Sequence, residues 1–201
     1  MALQLAAVSC GPSWSDVSRA VALPDQPERE PVRDRQRTYY DRQATRPRSE
    51  VHVLLLPDGR HLKDGVERRW FPDGTLELER GWSAGEPAGW WRSWWPDGSP
   101  RSEYRFEPAQ ATTMRWWHPG GVLSSQGPAR SGLREGSWRG WHPDGTLAFE
   151  GHYLAGRREG PWSTWHPDGS LGERGSYRAD VRVGTWESYA PGERPGAAPP
   201  P

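Results

Sequence analysis

The sequence contains little of what most globular domains use to build a core. Apolar residues make up 33% of its 201 positions, and no run of about 18 apolar residues is present, so no membrane-spanning helix is predicted. The single cysteine, Cys10, excludes an internal disulfide framework and a Cys-x-x-Cys metal site. The formal net charge is zero, so the basic footprint of a nucleic-acid-binding protein is missing.

Tryptophan, in contrast, is abundant. The chain has 14 tryptophans, and all except Trp14 lie between Trp70 and Trp186. High glycine and proline contents (24 and 21 residues) would by themselves favour disorder. Disordered chains are poor in aromatic residues, so the tryptophan-rich part of this chain is predicted to fold.

The tripeptide Pro-Asp-Gly, or a close relative, recurs at a nearly constant spacing. Successive steps are 24, 23, 24, 24 and 24 residues, with the prolines at Pro72, Pro96, Pro119, Pro143, Pro167 and, in a decayed copy, Pro191. A fixed period of this length is typical of a repeat array, in which each unit buries its apolar face against its neighbours.

The array is predicted to span residues 51–192. Residues 51–64 form a shortened hairpin that caps it, full units begin at residues 65, 89, 112, 136 and 160, and a half unit begins at residue 184. The second unit carries Pro100 where leucine is expected and lacks its second glycine turn, so the sheet should be most distorted between Pro100 and Thr112.

Each unit reads as a β-hairpin. In Pro143-Asp144-Gly145, proline and aspartate suit the central positions of a type I turn, and glycine accepts the positive φ that follows. This loop places Trp141 opposite Leu147. A second turn is predicted after each hairpin, at Gly85, Gly132, Gly156 and Asp180.

The alternation of side chains along a strand then assigns two faces. A packed face should carry Trp141, Leu147, Phe149 and Tyr153 with their equivalents. A bulge at Gly140 would flip part of this assignment. The other face, predicted to be partly exposed, supplies the candidate binding residues Trp91, Trp95, His118, Trp138, His142, Trp162, His166 and Trp186. Tryptophan is favoured at interface hot spots, although these rings could equally serve only to cover the sheet.

The flanks carry different signals. Residues 1–10 resemble the truncated end of a bacterial lipoprotein signal with Cys10 as the lipidated residue, and the alternative is an ordinary N-terminus with an incidental cysteine. Acylation would place the protein on a membrane facing the periplasm or the exterior; otherwise a cytoplasmic location is expected. Residues 11–50 are predicted to be a disordered charged linker, and residues 193–201 a disordered proline-rich tail.

The array resembles the MORN repeat family, in particular the bacterial variant found in YwqK-family antitoxin-like proteins. The resemblance covers residues 65–192 and rests in each unit on positions such as Gly160, Trp162, Trp165, Gly169, Leu171 and Tyr177. It implies an all-β fold, an elongated single-layer antiparallel sheet of tandem 24-residue hairpins. It also implies protein binding or membrane association, with no catalytic residues and no cofactor.

The most chemical pattern in the sequence is the spacing of His118, His142 and His166, each 24 residues apart. Equivalent positions of neighbouring hairpins lie about 9–10 Å apart, since each hairpin adds two strands. Ligands of one zinc ion all lie about 2 Å from it, so no metal site is predicted. No P-loop, Gly-x-Ser-x-Gly or zinc-peptidase motif is present, and no enzyme is expected.

The sequence therefore predicts a noncatalytic scaffold for protein–protein interaction, with a toxin as the partner that the resemblance implies. The alternative from another class is a glycan or cell-wall binding module on a tethered lipoprotein, because regularly spaced tryptophans can stack on sugar rings. Nucleic acid is not an expected partner, and membrane contact is expected only through a lipid anchor at Cys10.

Overall fold

A computed structural model describes residues 30–107 and 110–193. The chain divides into residues 1–30 and residues 31–201, and the structural description below concerns the second unit. Cys10, the signal-like segment 1–10, residues 11–29 of the predicted linker and residues 194–201 of the predicted tail lie outside the described residues.

The described residues contain only β-strands and the turns between them. The strands are β1 (Val32–Tyr39), β2 (Pro47–Leu55), β3 (His61–Trp70), β4 (Leu76–Ser83), β5 (Glu86–Trp94), β6 (Pro100–Phe106), β7 (Thr112–Trp117), β8 (Leu123–Arg130), β9 (Leu133–Arg134), β10 (Gly136–Trp141), β11 (Leu147–Leu154), β12 (Arg157–Trp165), β13 (Leu171–Arg178) and β14 (Val181–Ser188). They form one antiparallel sheet in sequence order, except that the short β9 pairs only with β8. The predicted all-β sheet of consecutive hairpins is confirmed.

The Pro-Asp-Gly turns have the predicted geometry. The N–H of His142 donates to the carbonyl of Thr146 at 2.8 Å, and Trp141 lies opposite Leu147. The Asp144 carboxylate accepts hydrogen bonds from the N–H and the hydroxyl of Thr146. These bonds, with the hydroxyl first, hold the pKa of Asp144 below its ordinary value, and Ser170 does the same for Asp168.

The second turns also fall where the sequence predicted them. Ala155 and Gly156 both have positive φ, as do Ala179 and Asp180. Two consecutive residues with positive φ are typical of the type I′ turn, whose twist matches that of a hairpin. Asp180 can replace glycine here because aspartate tolerates this conformation better than most residues.

The prediction of a disordered linker is wrong for the part that the structure describes. Strands β1 and β2 occupy residues 32–39 and 47–55, so β1 and the first residues of β2 precede the predicted cap at 51–64. The side chains of β1 are all exposed, and many are charged. An edge strand of this kind is held by its backbone pairing and protected by charge, so it needs no apolar alternation. The cap is indeed a hairpin, with Leu55 opposite His61, but its strands extend beyond it on both sides.

The predicted distortion after Pro100 is present. In the described residues only two pairs join β6 to β7, whereas six join β7 to β8. The sequence did not predict that β8 and β10 would also be joined by only two pairs. There β9 pairs with the end of β8 in place of β10.

The sheet buries its aromatic residues against glycines. Trp162 lies directly over Gly151 of the neighbouring strand, so a Cβ atom added at Gly151 would be 2.0 Å from the indole. Gly127 lies under Trp138 and Gly175 under Trp186 in the same way, and the added atom would be 2.5 and 2.3 Å from the ring. We call a glycine that lies under an indole in this way a glycine seat. A large flat side chain can thus cover a strand that has no side chain at that point.

The substitution Gly151→Ala should therefore destabilise the sheet strongly. We expect a loss of about 3 kcal/mol in the free energy of unfolding, because the Trp162 indole has to leave its seat. Urea denaturation followed by tryptophan fluorescence measures this loss.

Gly172→Ala is the matched control for this substitution. Its added Cβ atom would lie 3.2 Å from the Thr164 hydroxyl oxygen, 3.4 Å from the Thr164 carbonyl oxygen and 3.5 Å from His166 Nε2, without the overlap found at Gly151, so the expected loss is below about 1 kcal/mol. Equal losses in the two variants would contradict the glycine-seat interpretation.

Stability should also fall in acid because of the turn aspartates. A carboxyl group with a folded pKa below its ordinary value of 3.8 stabilises the fold above pH 3.8 and loses this effect as the pH drops through the folded value. Melting temperatures measured from pH 7 to pH 3 should be nearly constant above about pH 5 and fall below it. The double variant Asp144→Asn/Asp168→Asn should fall less steeply, and an unchanged slope would contradict the assignment.

Candidate functional site

The structure reassigns the two faces of the sheet. Trp138 and Trp162, predicted to be exposed, are only 1% and 6% accessible and belong to the same buried cluster as Tyr153 and Tyr177. The pairing register shifts by one residue between Gly140 and Trp141, and the corresponding shift recurs in the other hairpins. Counting outward from the turn across this bulge therefore placed Trp138 on the wrong face.

The remaining candidate residues are half-buried. None of the indoles of Trp91, Trp95 and Trp186 is fully exposed. The Trp91 N–H donates to the carbonyl of Gly81 at 2.9 Å, and the Trp186 N–H donates to that of Ser176 at 3.2 Å. The prediction of a partly exposed face is therefore wrong for Trp138 and Trp162, whereas Trp91, Trp95 and Trp186 are partly exposed.

A cation covers the aromatic face in several repeats. The Arg134 guanidinium lies 4.5 Å from the centre of the Trp138 ring and donates to the Tyr153 hydroxyl at 2.8 Å. Arg158 lies 4.0 Å from the centre of the Tyr177 ring and donates a hydrogen bond to the Tyr177 hydroxyl at 2.8 Å. These cation–π contacts close the aromatic face from solvent.

The three periodic histidines join successive repeats. The Nε2 atoms of His118 and His142 lie 2.8 Å from the carbonyl oxygens of Trp141 and Trp165, one repeat further along. His166 makes the same contact with Tyr189 at 2.9 Å. Because the acceptor is a carbonyl, Nε2 carries the proton. Trp95 takes this role in its own unit, donating to the carbonyl of Trp117.

The opposite face of the sheet, which we call the polar face, carries a row of charges. One residue from each strand except β9 lies directly beside the next, and the row reads Arg37, Glu50, Arg68, Glu79, Arg92, Glu103, Arg115, Gln126, Arg139, Glu150, Ser163, Arg174 and Glu187. Opposite charges alternate along it except at Gln126 and Ser163. Such cross-strand pairs stabilise a sheet modestly.

Most members of the row form close ion pairs. The nitrogen–oxygen distance is 2.6 Å for Arg37–Glu50 and 2.8 Å for Arg68–Glu79. Burial acts to raise the pKa of Glu50, but the hydrogen bond and charge of Arg37 outweigh it, so this pKa lies below its ordinary value. Most charges of the row therefore have a partner of opposite sign.

The longest ion pair of the row lies between its two neutral residues. Between Gln126 and Ser163, the Arg139–Glu150 pair is 3.5 Å apart, and its side chains are 66% and 46% exposed. A hollow of about 880 Å³ opens here on the polar face, between β7 and β12, and its lining includes all four residues together with Ser137 and His152. Among the described residues, the side chains of Gln126, Ser137, His152 and Ser163 make no hydrogen bond or ion pair.

The sequence analysis did not predict the charged row or its hollow, although the periodic charges that form the row are visible in the sequence. Arg68, Arg92, Arg115 and Arg139 follow the same 24-residue period as the turns, and Glu79, Glu103 and Glu150 follow it on the return strand. Aligning charges on the repeat, as was done for tryptophans, would have found the row.

The described residues show neither a metal-binding cluster nor a membrane-spanning helix. No group of three or more histidine, cysteine, aspartate or glutamate side chains is arranged to hold a metal ion there. None of these residues forms a helix with the length and hydropathy needed to cross a membrane.

Comparison with known proteins identifies one of the repeats. Residues 134–155 match the family model described as MORN repeat variant. They include β10 with Trp138, the Pro143 turn and β11 with Tyr153, which together make one hairpin of the sheet. No curated protein matches the chain. None of the comparisons supports the narrower YwqK-family antitoxin-like type.

The histidine contacts between repeats lead to a testable prediction. His142→Ala should lower the free energy of unfolding by about 1 kcal/mol, because the Trp165 carbonyl loses its donor. His142→Gln, which keeps a donor, should lose less. Urea denaturation of each variant measures the difference.

His152→Ala serves as the control, because His152 lies exposed on the polar face. This variant should keep its stability. The losses should be the same with and without a metal chelator, and a chelator-dependent loss in His142→Ala would reinstate the metal hypothesis.

Proposed function

We propose that the repeat sheet is a noncatalytic scaffold that binds another protein at the hollow of the polar face. The observation that carries this proposal is the set of unpaired polar side chains around the two neutral positions of the charged row, Gln126 and Ser163. Gln126, Ser163 and His152 offer donors and acceptors whose capacity the fold leaves unused. A partner can satisfy them without breaking any contact that holds the sheet.

The chemistry of the hollow favours a polar protein surface. Arg139 presents a guanidinium beside the Glu150 carboxylate, so the hollow offers both signs of charge within a few ångströms. Arginine is enriched at protein interfaces, and a charge pair of this kind fixes the register of a partner more than it adds affinity. Binding should therefore be specific and sensitive to salt.

The same residues offer little for catalysis. Ser137 lies opposite His152 in the pairing of β10 with β11, but no hydrogen bond joins their side chains. An activated nucleophile needs a base within hydrogen-bond reach. A binding role uses these groups as they stand.

Two finer assignments belong to this proposal. The sequence resemblance names a toxin as the partner, and the hollow would then hold a polar part of its surface. An acyl chain at Cys10 would tether the scaffold to a membrane. Mass spectrometry of the N-terminal peptide from the native host tests the tether, and an unmodified Cys10 removes it.

The binding role predicts that the hollow captures a partner through Arg139. With a photo-crosslinking residue in place of Ser163, the protein should give one dominant cross-linked species in host cells. Adding Arg139→Ala should reduce its yield at least tenfold, because the charge pair that orients the partner is lost. Quantitative mass spectrometry measures the yield.

Arg68→Ala is the matched control, since Arg68 occupies the same row outside the hollow and is paired with Glu79. This variant should leave the yield unchanged. Equal reduction by both substitutions, or cross-linking spread evenly over unrelated proteins, would contradict a specific site in the hollow.

A further inference from the structure

The array ends, within the described residues, on half of a repeat. Strand β14 is the last in the sheet order, and no described strand pairs with its outer edge. In the sequence, positions 195, 199 and 201 align with Leu171, Gly175 and Tyr177 of the preceding unit, and all three are proline. Proline has no N–H to donate to a neighbouring strand, and at these positions the sequence does not repeat the leucine, glycine and tyrosine of the preceding unit.

The interior units show what the missing strand supplies. Gly175 lies beside Trp162, and the Tyr177 ring packs edge-on against that indole, with centres 5.7 Å apart. The Tyr177 hydroxyl in turn accepts a hydrogen bond from Arg158. With these neighbours on its outer side and Phe149 stacked on it from the inner side at 5.3 Å, Trp162 is only 6% accessible.

In the part of the chain that the structure describes, none of these partners lies on the outer side of β14. Trp186 touches the Tyr177 ring on its inner side, at 5.0 Å between centres, and remains half-buried. Arg182, the counterpart of Arg158, has no tyrosine beyond it among the described residues. It is exposed and pairs with Glu173 on the preceding strand, at 2.7 Å.

The charged row also ends unbalanced at this edge. Interior Glu103 lies between two arginines, Arg92 at 3.2 Å and Arg115 at 3.3 Å. Glu187, the last member, is exposed and has one arginine beside it, Arg174 at 2.6 Å, and it also accepts a hydrogen bond from the Tyr189 hydroxyl at 2.6 Å. A residue added next to Glu187 in the same row would continue the alternation if it were basic.

We propose that the outer edge of β14 receives an extended segment of a partner protein, which adds as an antiparallel strand and completes the half repeat. The interior register defines its pattern as Leu-x-x-Arg-Gly-x-Tyr, or the same with lysine. Arginine then lies beside Glu187, glycine beside Trp186 and tyrosine within reach of Arg182. Backbone pairing supplies affinity in this mode of recognition, and the alternate side chains supply specificity. The inference rests on the proposed function only in taking a polypeptide as the partner.

The test uses the full chain and a synthetic peptide that contains Leu-Gly-Glu-Arg-Gly-Ser-Tyr, the sequence of residues 171–177. Saturable one-to-one binding, measured by fluorescence anisotropy of the labelled peptide, is expected. Replacing the peptide arginine by glutamate, or the tyrosine by alanine, should weaken binding about tenfold each. A scrambled peptide should not bind, and equal binding of all four peptides would overturn the proposal.

A charge swap locates the peptide on the sheet. Glu187→Arg should lose affinity for the original peptide about tenfold and gain affinity for the peptide with glutamate in place of arginine. Glu187→Gln, a milder change, should weaken the original peptide by a smaller factor. Unchanged binding in both variants would place the peptide elsewhere and overturn the proposal, as would self-association of the chain without peptide binding.

The proposal for the hollow and the proposal for the outer edge of β14 can be disproved separately. Arg139→Ala should leave peptide affinity unchanged, because Arg139 lies on β10, four strands away in the sheet order. Loss of peptide binding in Arg139→Ala would overturn the edge assignment, while the cross-linking experiment at Ser163 reports on the hollow alone.

Discussion

The contact between an indole and a glycine of the neighbouring strand is the constraint on which the rest of this structure depends. A single sheet has no second layer to bury its apolar face, so the aromatic residues have to cover the sheet themselves. Trp162 can lie flat only because Gly151 has no side chain, and Trp138 has the same relation to Gly127. The seat fixes which residues lie opposite each other, since a shift of one residue would place a side chain under the ring. The register between neighbouring hairpins and the face that carries the tryptophans are therefore constrained by one steric rule.

Much of this architecture could be predicted from the sequence, because turns and period depend on local residues. Pro143-Asp144-Gly145 specifies its own loop, and that loop specifies that Trp141 lies opposite Leu147. The assignment of faces could not be predicted in this way, because a single bulge after Gly140 inverts everything beyond it. Strand β1 was missed for a different reason. Its stability comes from pairing with β2 and not from its own composition, which resembles that of a disordered segment.

The histidines show how a periodic pattern of reactive residues can have a structural cause. His118, His142 and His166 recur every 24 residues because each one donates to a carbonyl of the following repeat. The spacing that excludes a shared metal ion is the spacing that suits this contact. The interaction is local to one junction, so a repeat can use another donor, as Trp95 does, without any change in its neighbours.

In the interior of such an array, few aromatic or charged side chains are free to contact a partner. Trp138, Trp162 and Trp186 each lie over a glycine, several aromatic rings are covered by a cation, and most charges in the polar row have an opposite neighbour. The binding sites that we propose therefore lie where the sequence departs from the repeat. One departure is the presence of Gln126 and Ser163 at positions where the row otherwise carries charges. The longest ion pair of the row, Arg139–Glu150, and the hollow lie there. The other is the half repeat at β14, where Trp186 and Glu187 each lack the neighbour that interior units supply. In a repeat protein of this kind, departures from the repeat are better guides to function than the repeated residues, because the latter are already engaged in holding the sheet together.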